Sequence, residues 1–206
     1  MRELILGGQK SGKSRLAEER ARAWLAQSPS LASSPFSSRS AVLMATALAQ
    51  DEEMGERIAR HQADRLAYLP AMRCVEEARD VGQRLGELSD AKTLVIVDCL
   101  TLWLTQLMMP LPPAQEPFLK QNRQLAGIES MQSATNLIVN LLQALRDTTG
   151  PVVLVSNEIG LGVIPMGREV RQFVDELGKL NQAVAAQCER VTFMAAGCEL
   201  TLKEPA

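Results

Sequence analysis

The run Gly7-Gly8-Gln9-Lys10-Ser11-Gly12-Lys13-Ser14 fits the phosphate-cradling pattern G-x-x-x-x-G-K-S/T at every fixed position. Few short stretches constrain a fold as tightly, because the pattern works only between a buried strand and a helix. Both flanks comply: Leu4-Ile5-Leu6 is an apolar run of buried-strand type, and Ser14 to Ala21 reads as the start of a helix. The glycines let backbone N–H groups converge on phosphate oxygens, and the positive end of the helix dipole adds to the attraction. Lys13 is expected to reach the β- and γ-phosphates, and Ser14 to ligate Mg²⁺. A nucleoside triphosphate is the expected ligand.

The remaining pattern tells which fold carries this loop. Ala41 to Ala45, Thr93 to Val97 and Val152 to Val155 are unbroken apolar runs, which suit parallel strands covered on both faces. Arg190 to Met194 and Glu199 to Leu202 are shorter and are expected at the sheet edge. Helices are expected near 13–26, 51–66, 76–87, 121–147 and 168–187. In the fourth, Leu125, Ile128, Ile138, Leu141, Leu142 and Leu145 make a core stripe at helical spacing. The alternation predicts an α/β fold of the P-loop NTPase type: a doubly wound, mostly parallel sheet with helices on both faces and its site at the carboxyl ends of the strands. One catalytic domain over 1–206 is expected, with surface loops near 28–40, which is Ser- and Pro-rich, and 109–120, which opens on Met109-Pro110-Leu111-Pro112-Pro113.

Composition excludes several classes. Twenty-two Lys and Arg stand against 24 Asp and Glu, a net charge of −2, which argues against a sequence-independent nucleic-acid binder. Cys74, Cys99, Cys188 and Cys198 have no C-x-x-C pairing and read as reduced core residues. The apolar stretch from Leu94 to Met109 is broken by Asp98, so no membrane span is expected, and with strand one expected to begin almost at Met1 no leader is expected either. The expected compartment is the cytoplasm.

A P-loop needs a carboxylate, expected from the neighbouring strand, to anchor Mg²⁺. Leu94-Val95-Ile96-Val97-Asp98 has that form, so Ser14 and Asp98 are the expected metal ligands. Two D-x-x-G matches, at Asp147 and Asp175, lack any N-K-x-D companion, and a switch-type GTPase is not expected. His61, the one histidine, lies among Arg57, Arg60, Asp64 and Arg65 at helical spacing. That spacing admits two readings. One is a solvated basic face; in the other, arginines hold phosphates while a neutral imidazole, of ordinary pKa about 6.5, attacks phosphorus.

The chain resembles the bifunctional adenosylcobinamide kinase / adenosylcobinamide-phosphate guanylyltransferases of cobalamin biosynthesis from Glu3 to about Lys203. The P-loop, Ala45-Thr46-Ala47, Asp51-Glu52-Glu53-Met54, Arg57-Ile58-x-x-His61 and Val97-Asp98-Cys99-Leu100-Thr101-Leu102-Trp103 carry the likeness. So do Val153 to Pro165, the most distinctive block, and Leu177-Gly178-x-x-Asn181-Gln182. The resemblance implies phosphorylation of the aminopropanol hydroxyl of adenosylcobinamide by ATP or GTP. GMP transfer from GTP to adenosylcobinamide phosphate would follow through a guanylylated His61, giving adenosylcobinamide-GDP and pyrophosphate. It implies nucleotide contacts from the P-loop, Ala45, Thr46, Ala47, Gln62, Ala63, Asp64, Arg65, Glu76 and Asp98, and a homotrimer. Arg60 stands where some relatives carry a second histidine. Glu158, after the fourth strand, has two readings: an acid bonding the glycine-rich turn that follows, or a contact to metal, nucleotide or substrate hydroxyl. A transferase without kinase activity and a nucleotide-switched binding module are the rival functions.

Overall fold

Parallel strands need long crossovers, and helices supply them here. The structure, a computed structural model, describes residues 1–27, 38–48, 52–109 and 131–205, with backbone alone at 53, 54, 57, 58, 61, 62, 65, 66, 131 and 132. In chain order the elements are β1 (Arg2–Gly7), α1 (Lys13–Ala26), β2 (Ser40–Ala45), α2 (Glu52–Tyr68), β3 (Arg73–Glu76), α3 (Val81–Leu88) and β4 (Thr93–Asp98). There follow α4 (Leu100–Met108), α5 (Met131–Asp147), β5 (Val152–Val155), α6 (Arg168–Gln187), β6 (Arg190–Ala195) and β7 (Cys198–Lys203). Seven strands form one sheet in the order β3-β2-β4-β5-β1-β6-β7. All pairings are parallel except that of β7, which returns antiparallel on β6.

Alternate residues of each strand feed two cores, as a pleated sheet requires. On one face Ile5, Leu43, Ile96 and Val153 pack against Leu16, Ala17 and Ala21 of α1 and against Leu69 and Met72, just past α2. On the other, Leu4, Met44, Val97 and Leu154 meet side chains of α3, α4, α5 and α6. Trp103 of α4 is wholly buried there, and its indole N–H donates to the carbonyl of Arg79 at 2.9 Å. Close approach decides one position in this layer: a Cβ on Gly82 of α3 would stand 2.6 Å from the backbone nitrogen of Leu141 in α5.

Several expectations change. β6 lies between β1 and β7, so only β7 of that pair is an edge strand. The helix expected at 76–87 begins at Val81, because Arg73–Glu76 instead adds strand β3 to the far edge. Helix α4 was not expected at all. Cys99 and Cys188 are buried, whereas Cys74 and Cys198 are exposed and not core residues. Residues 28–37 and 110–130 of the two loops, and with them the first part of the helix expected at 121–147, lie outside the described residues. No helix among the described residues is long and apolar enough to cross a membrane.

One buried ion pair fastens the helix after the P-loop to the strand before it. Glu3 of β1 is fully buried and accepts from Arg20 Nε (3.0 Å) and Nη2 (3.3 Å) on α1 and from the Thr192 hydroxyl (2.8 Å) on β6. Arg20 continues to Glu199 of β7 at 2.7 Å. Removing one partner of such a pair strands the other charge in the interior. Arg20→Met should therefore lower stability by about 3 kcal/mol, read from the urea midpoint at pH 7. A loss under about 1 kcal/mol would mean that Thr192 alone satisfies Glu3.

Candidate active site

Because β1 to β6 run the same way, their carboxyl ends gather at one edge. The register there is continuous: Glu76 pairs with Ala45, Ala45 with Asp98, Asp98 with Val155, and Val155 with Ile5, two residues before Gly7. Four site residues expected from separate parts of the chain, Glu76, Ala45, Asp98 and Gly7, thus share a row or its immediate extension. One detail differs from expectation. The Asp98 strand is not adjacent to the P-loop strand, since β5 runs between them.

The loop itself is held by close backbone contacts. Gly7 has φ +150°, and a Cβ there would fall 2.3 Å from the carbonyl oxygen of Met194, so only glycine fits. Gly12 starts α1 in a left-handed conformation with no side-chain cap, leaving the first N–H groups of the helix for an anion. Gly197, in the β6–β7 turn, donates its N–H to the Ser11 carbonyl at 3.1 Å and buttresses the loop. The Ser11 hydroxyl is buried without a hydrogen-bond partner. Lys13 is buried, and its ammonium donates to the Gly8 carbonyl at 2.6 Å, folding the side chain back over the loop. Burial pushes the Lys13 pKa down, while Cys99 and Asp98 pull the other way. Gly8, Gln9 and Lys10 are exposed.

Behind this edge sits a buried polar seam. Thr46, fully buried, donates its hydroxyl to the Cys99 carbonyl (2.7 Å) and accepts from the Cys99 N–H (2.9 Å). Its own N–H donates to the Asp98 carbonyl at 3.0 Å, and its carbonyl accepts from Gln106 of α4 at 2.7 Å. The side chain of Thr46 therefore ties β2 to the end of β4, and its flanking residues Ala45 and Ala47 are the half-buried ones. Next along, Thr101 lies 3.3 Å from the Ser156 hydroxyl and accepts from the Asn157 N–H at 2.7 Å. Asn181 of α6 donates to the Asn157 carbonyl at 3.0 Å. Sequence reasoning gave Gln106, Thr101, Ser156 and Asn181 no task. Each is a single polar residue with no spacing or motif to mark it.

Ser14 and Asp98 are both half-buried, at the first turn of α1 and the end of β4. A hydroxyl and a carboxylate are oxygen donors suited to Mg²⁺, which completes its shell with phosphate oxygens and water. No group of three His, Cys, Asp or Glu side chains that could hold a metal is found among the described residues.

His61 and Gln62–Arg65 lie on α2, in its C-terminal half. Ala63 and Asp64 are exposed, and the side chains of His61, Gln62 and Arg65 lie outside the described residues. Two turns after His61 the helix is fixed to α1: the guanidinium of Arg15 stacks 3.2 Å from the Tyr68 ring centre, and that of Arg22 lies 5.5 Å away. Arg15 directly follows Ser14, so the histidine-bearing helix is fastened beside the P-loop helix. Glu76 is exposed on edge strand β3, level with Ala45. Glu158 is half-buried and accepts from the Gly160 N–H at 2.7 Å, the turn-bonding arrangement, while its N–H donates to the Gly7 carbonyl at 3.1 Å.

The Thr46 bonds make a direct prediction. Thr46→Val keeps the shape but leaves the buried N–H of Cys99 unpaired, its C=O still accepting from the Trp103 N–H at 3.2 Å, which should cost about 2 kcal/mol by urea denaturation. An unchanged midpoint would show that the seam does not hold Asp98 in place.

Comparison with known proteins agrees along nearly the whole chain. A family model described as cobinamide kinase / cobinamide phosphate guanyltransferase matches residues 3–202. A bifunctional adenosylcobalamin biosynthesis protein, CobP, of Pseudomonas aeruginosa is 42% identical over 203 residues, covering 98% of each chain. Proteins of the same bifunctional description, CobU, from Escherichia coli and Salmonella typhimurium are 28% and 29% identical, each over 97% of this chain and 98% of their own. The chain belongs to the cobinamide kinase / cobinamide phosphate guanyltransferase family.

Proposed function

We propose that this protein catalyses both reactions, as one catalytic domain over 1–206. It first phosphorylates adenosylcobinamide with ATP or GTP, then transfers GMP from GTP to adenosylcobinamide phosphate. The observation that carries the reading is the shared sheet edge, where the P-loop, Asp98 and Ala45–Ala47 meet in register. Family membership supplies the substrate class.

In the first reaction the loop N–H groups and Lys13 hold the β- and γ-phosphates. The aminopropanol hydroxyl attacks the γ-phosphorus, the bond to the β-phosphate oxygen breaks, and the nucleoside diphosphate leaves. Mg²⁺, held by Ser14 and Asp98, would neutralise phosphate charge. Asp98 also orients the hydroxyl. In the second reaction the His61 imidazole attacks the α-phosphorus of GTP and pyrophosphate leaves. A phosphate oxygen of adenosylcobinamide phosphate then attacks the same phosphorus, the N–P bond breaks, and adenosylcobinamide-GDP forms with the imidazole restored. Covalent transfer divides one hard displacement into two easier ones. Gln62 to Arg65 and Glu76 complete the nucleotide contacts. The family resemblance supports a homotrimer, and the chain's charge and reduced cysteines suit the cytoplasm.

The test is incubation of wild type and His61→Ala with Mg²⁺ and GTP labelled at the α-phosphate, followed by denaturation. Acid-labile label should remain on wild type and be absent from the variant. An unlabelled wild type that still binds GTP would remove His61 as the nucleophile.

A further inference from the structure

The segment after β5 carries an exposed apolar run with no counterpart elsewhere among the described residues. Leu161 is 77% exposed, Val163 94%, Ile164 83% and Met166 96%. Contiguous apolar surface of this kind marks a place where something binds. These side chains stand on a held backbone. At the start, Asn157 is bonded by Thr101 and Asn181, the Glu158 N–H donates to the Gly7 carbonyl at 3.1 Å, and Gly160 bonds the Glu158 carboxylate. At the end, Arg171 of α6 donates to the carbonyls of Pro165 (2.9 Å) and Met166 (2.5 Å). The chain is clamped at both ends while four apolar side chains point into solvent.

We infer that this stretch, Leu161 to Met166, is the platform on which the corrin macrocycle of the substrate rests. The inference builds on the function proposed above. Three observations choose this occupant. The run begins three residues after Glu158, whose N–H donates to the Gly7 carbonyl, so an occupant placed on it lies at the rim of the phosphate cradle. It offers no cation among Leu161 to Met166 and therefore does not suit a nucleotide, whose phosphates are already provided for by the loop. The second substrate is a broad ring edged with methyl groups and amides, whose reacting hydroxyl hangs on a flexible arm. With the ring on the platform, the arm crosses the rim to the γ-phosphate. Of the other exposed apolar side chains, Val139 lies on α5, and Leu200 and Leu202 lie on β7, which leaves the Gly197–Ser11 bond antiparallel to β6 and so runs away from the carboxyl edge.

The experiment is equilibrium dialysis of cobinamide, followed by its visible absorption, against wild type and the triple variant L161S/V163S/I164S. Nucleotide affinity and solution mass are measured on the same samples. The dissociation constant for cobinamide should rise at least tenfold, with GTP affinity within twofold and mass unchanged. L200S/L202S should bind cobinamide as wild type does. Val163→Ser alone, at a side chain already 94% exposed, should raise the constant about threefold and serves if the triple variant does not fold. Unchanged cobinamide binding overturns the inference and leaves the proposed function standing. A change of mass with unchanged cobinamide binding also overturns it, because the run then joins copies of the chain. A parallel loss of GTP affinity overturns it too, as the loop would then act through the P-loop. A wild type that does not bind cobinamide removes the proposed function and the inference together.

Discussion

Six strands run in one direction, so each connection between them must cross back over the sheet before the next can begin. That constraint places every turn that follows a strand at the same edge. The P-loop follows β1, Ala45 ends β2 with Thr46 and Ala47 after it, Glu76 ends β3, Asp98 ends β4, and the Ser156–Glu158 turn follows β5. Residues more than 140 positions apart in the chain become neighbours without any special contact between their side chains, because the ladder sets their level. The buried core beneath serves mainly to keep that register.

The edge is finished by polar bonds rather than by apolar packing. Thr46 uses both hydrogen-bonding roles of its hydroxyl on Cys99, and Gln106 and Asn181 each give an amide N–H to a turn carbonyl. Each such bond fixes direction as well as distance, which an apolar contact does not. Asp98 and the turn from Ser156 to Glu158 are thereby aimed, whereas Glu3 and Arg20 set the angle of the helix that starts at the P-loop.

The P-loop, α1 and α6 were legible because their signals are local: a glycine pattern in the first and helical spacing within one stretch in the others. β3 was not, since it lies at the sheet edge with a largely exposed pattern and only Val75 half-buried, leaving no apolar run to notice. α4 escaped for the opposite reason. Leu100, Trp103, Leu104 and Leu107 are buried and so are Thr101 and Gln106, so Leu100–Met108 has no polar face and reads as a continuation of β4. Strand order was hidden as well, because β5 enters between β1 and β4 from a distant part of the chain. Of the site, the phosphate and carboxylate residues were visible as motifs. The seam behind them was not, since single threonines and asparagines carry no pattern.

The cysteines divide along the same architecture. Burial lifts the Cys99 thiol to about 11 and that of Cys188 to about 12, so both stay protonated and unreactive at neutral pH. Cys74 and Cys198 are exposed, one on β3 and the other on β7, the two outermost strands. Six strand spacings of about 4.8 Å put them roughly 29 Å apart, far beyond the ~7 Å that a disulfide can span. Oxidation of this protein therefore has no internal outlet: a bond between these two thiols can form only from one molecule to another, and would string copies together edge to edge.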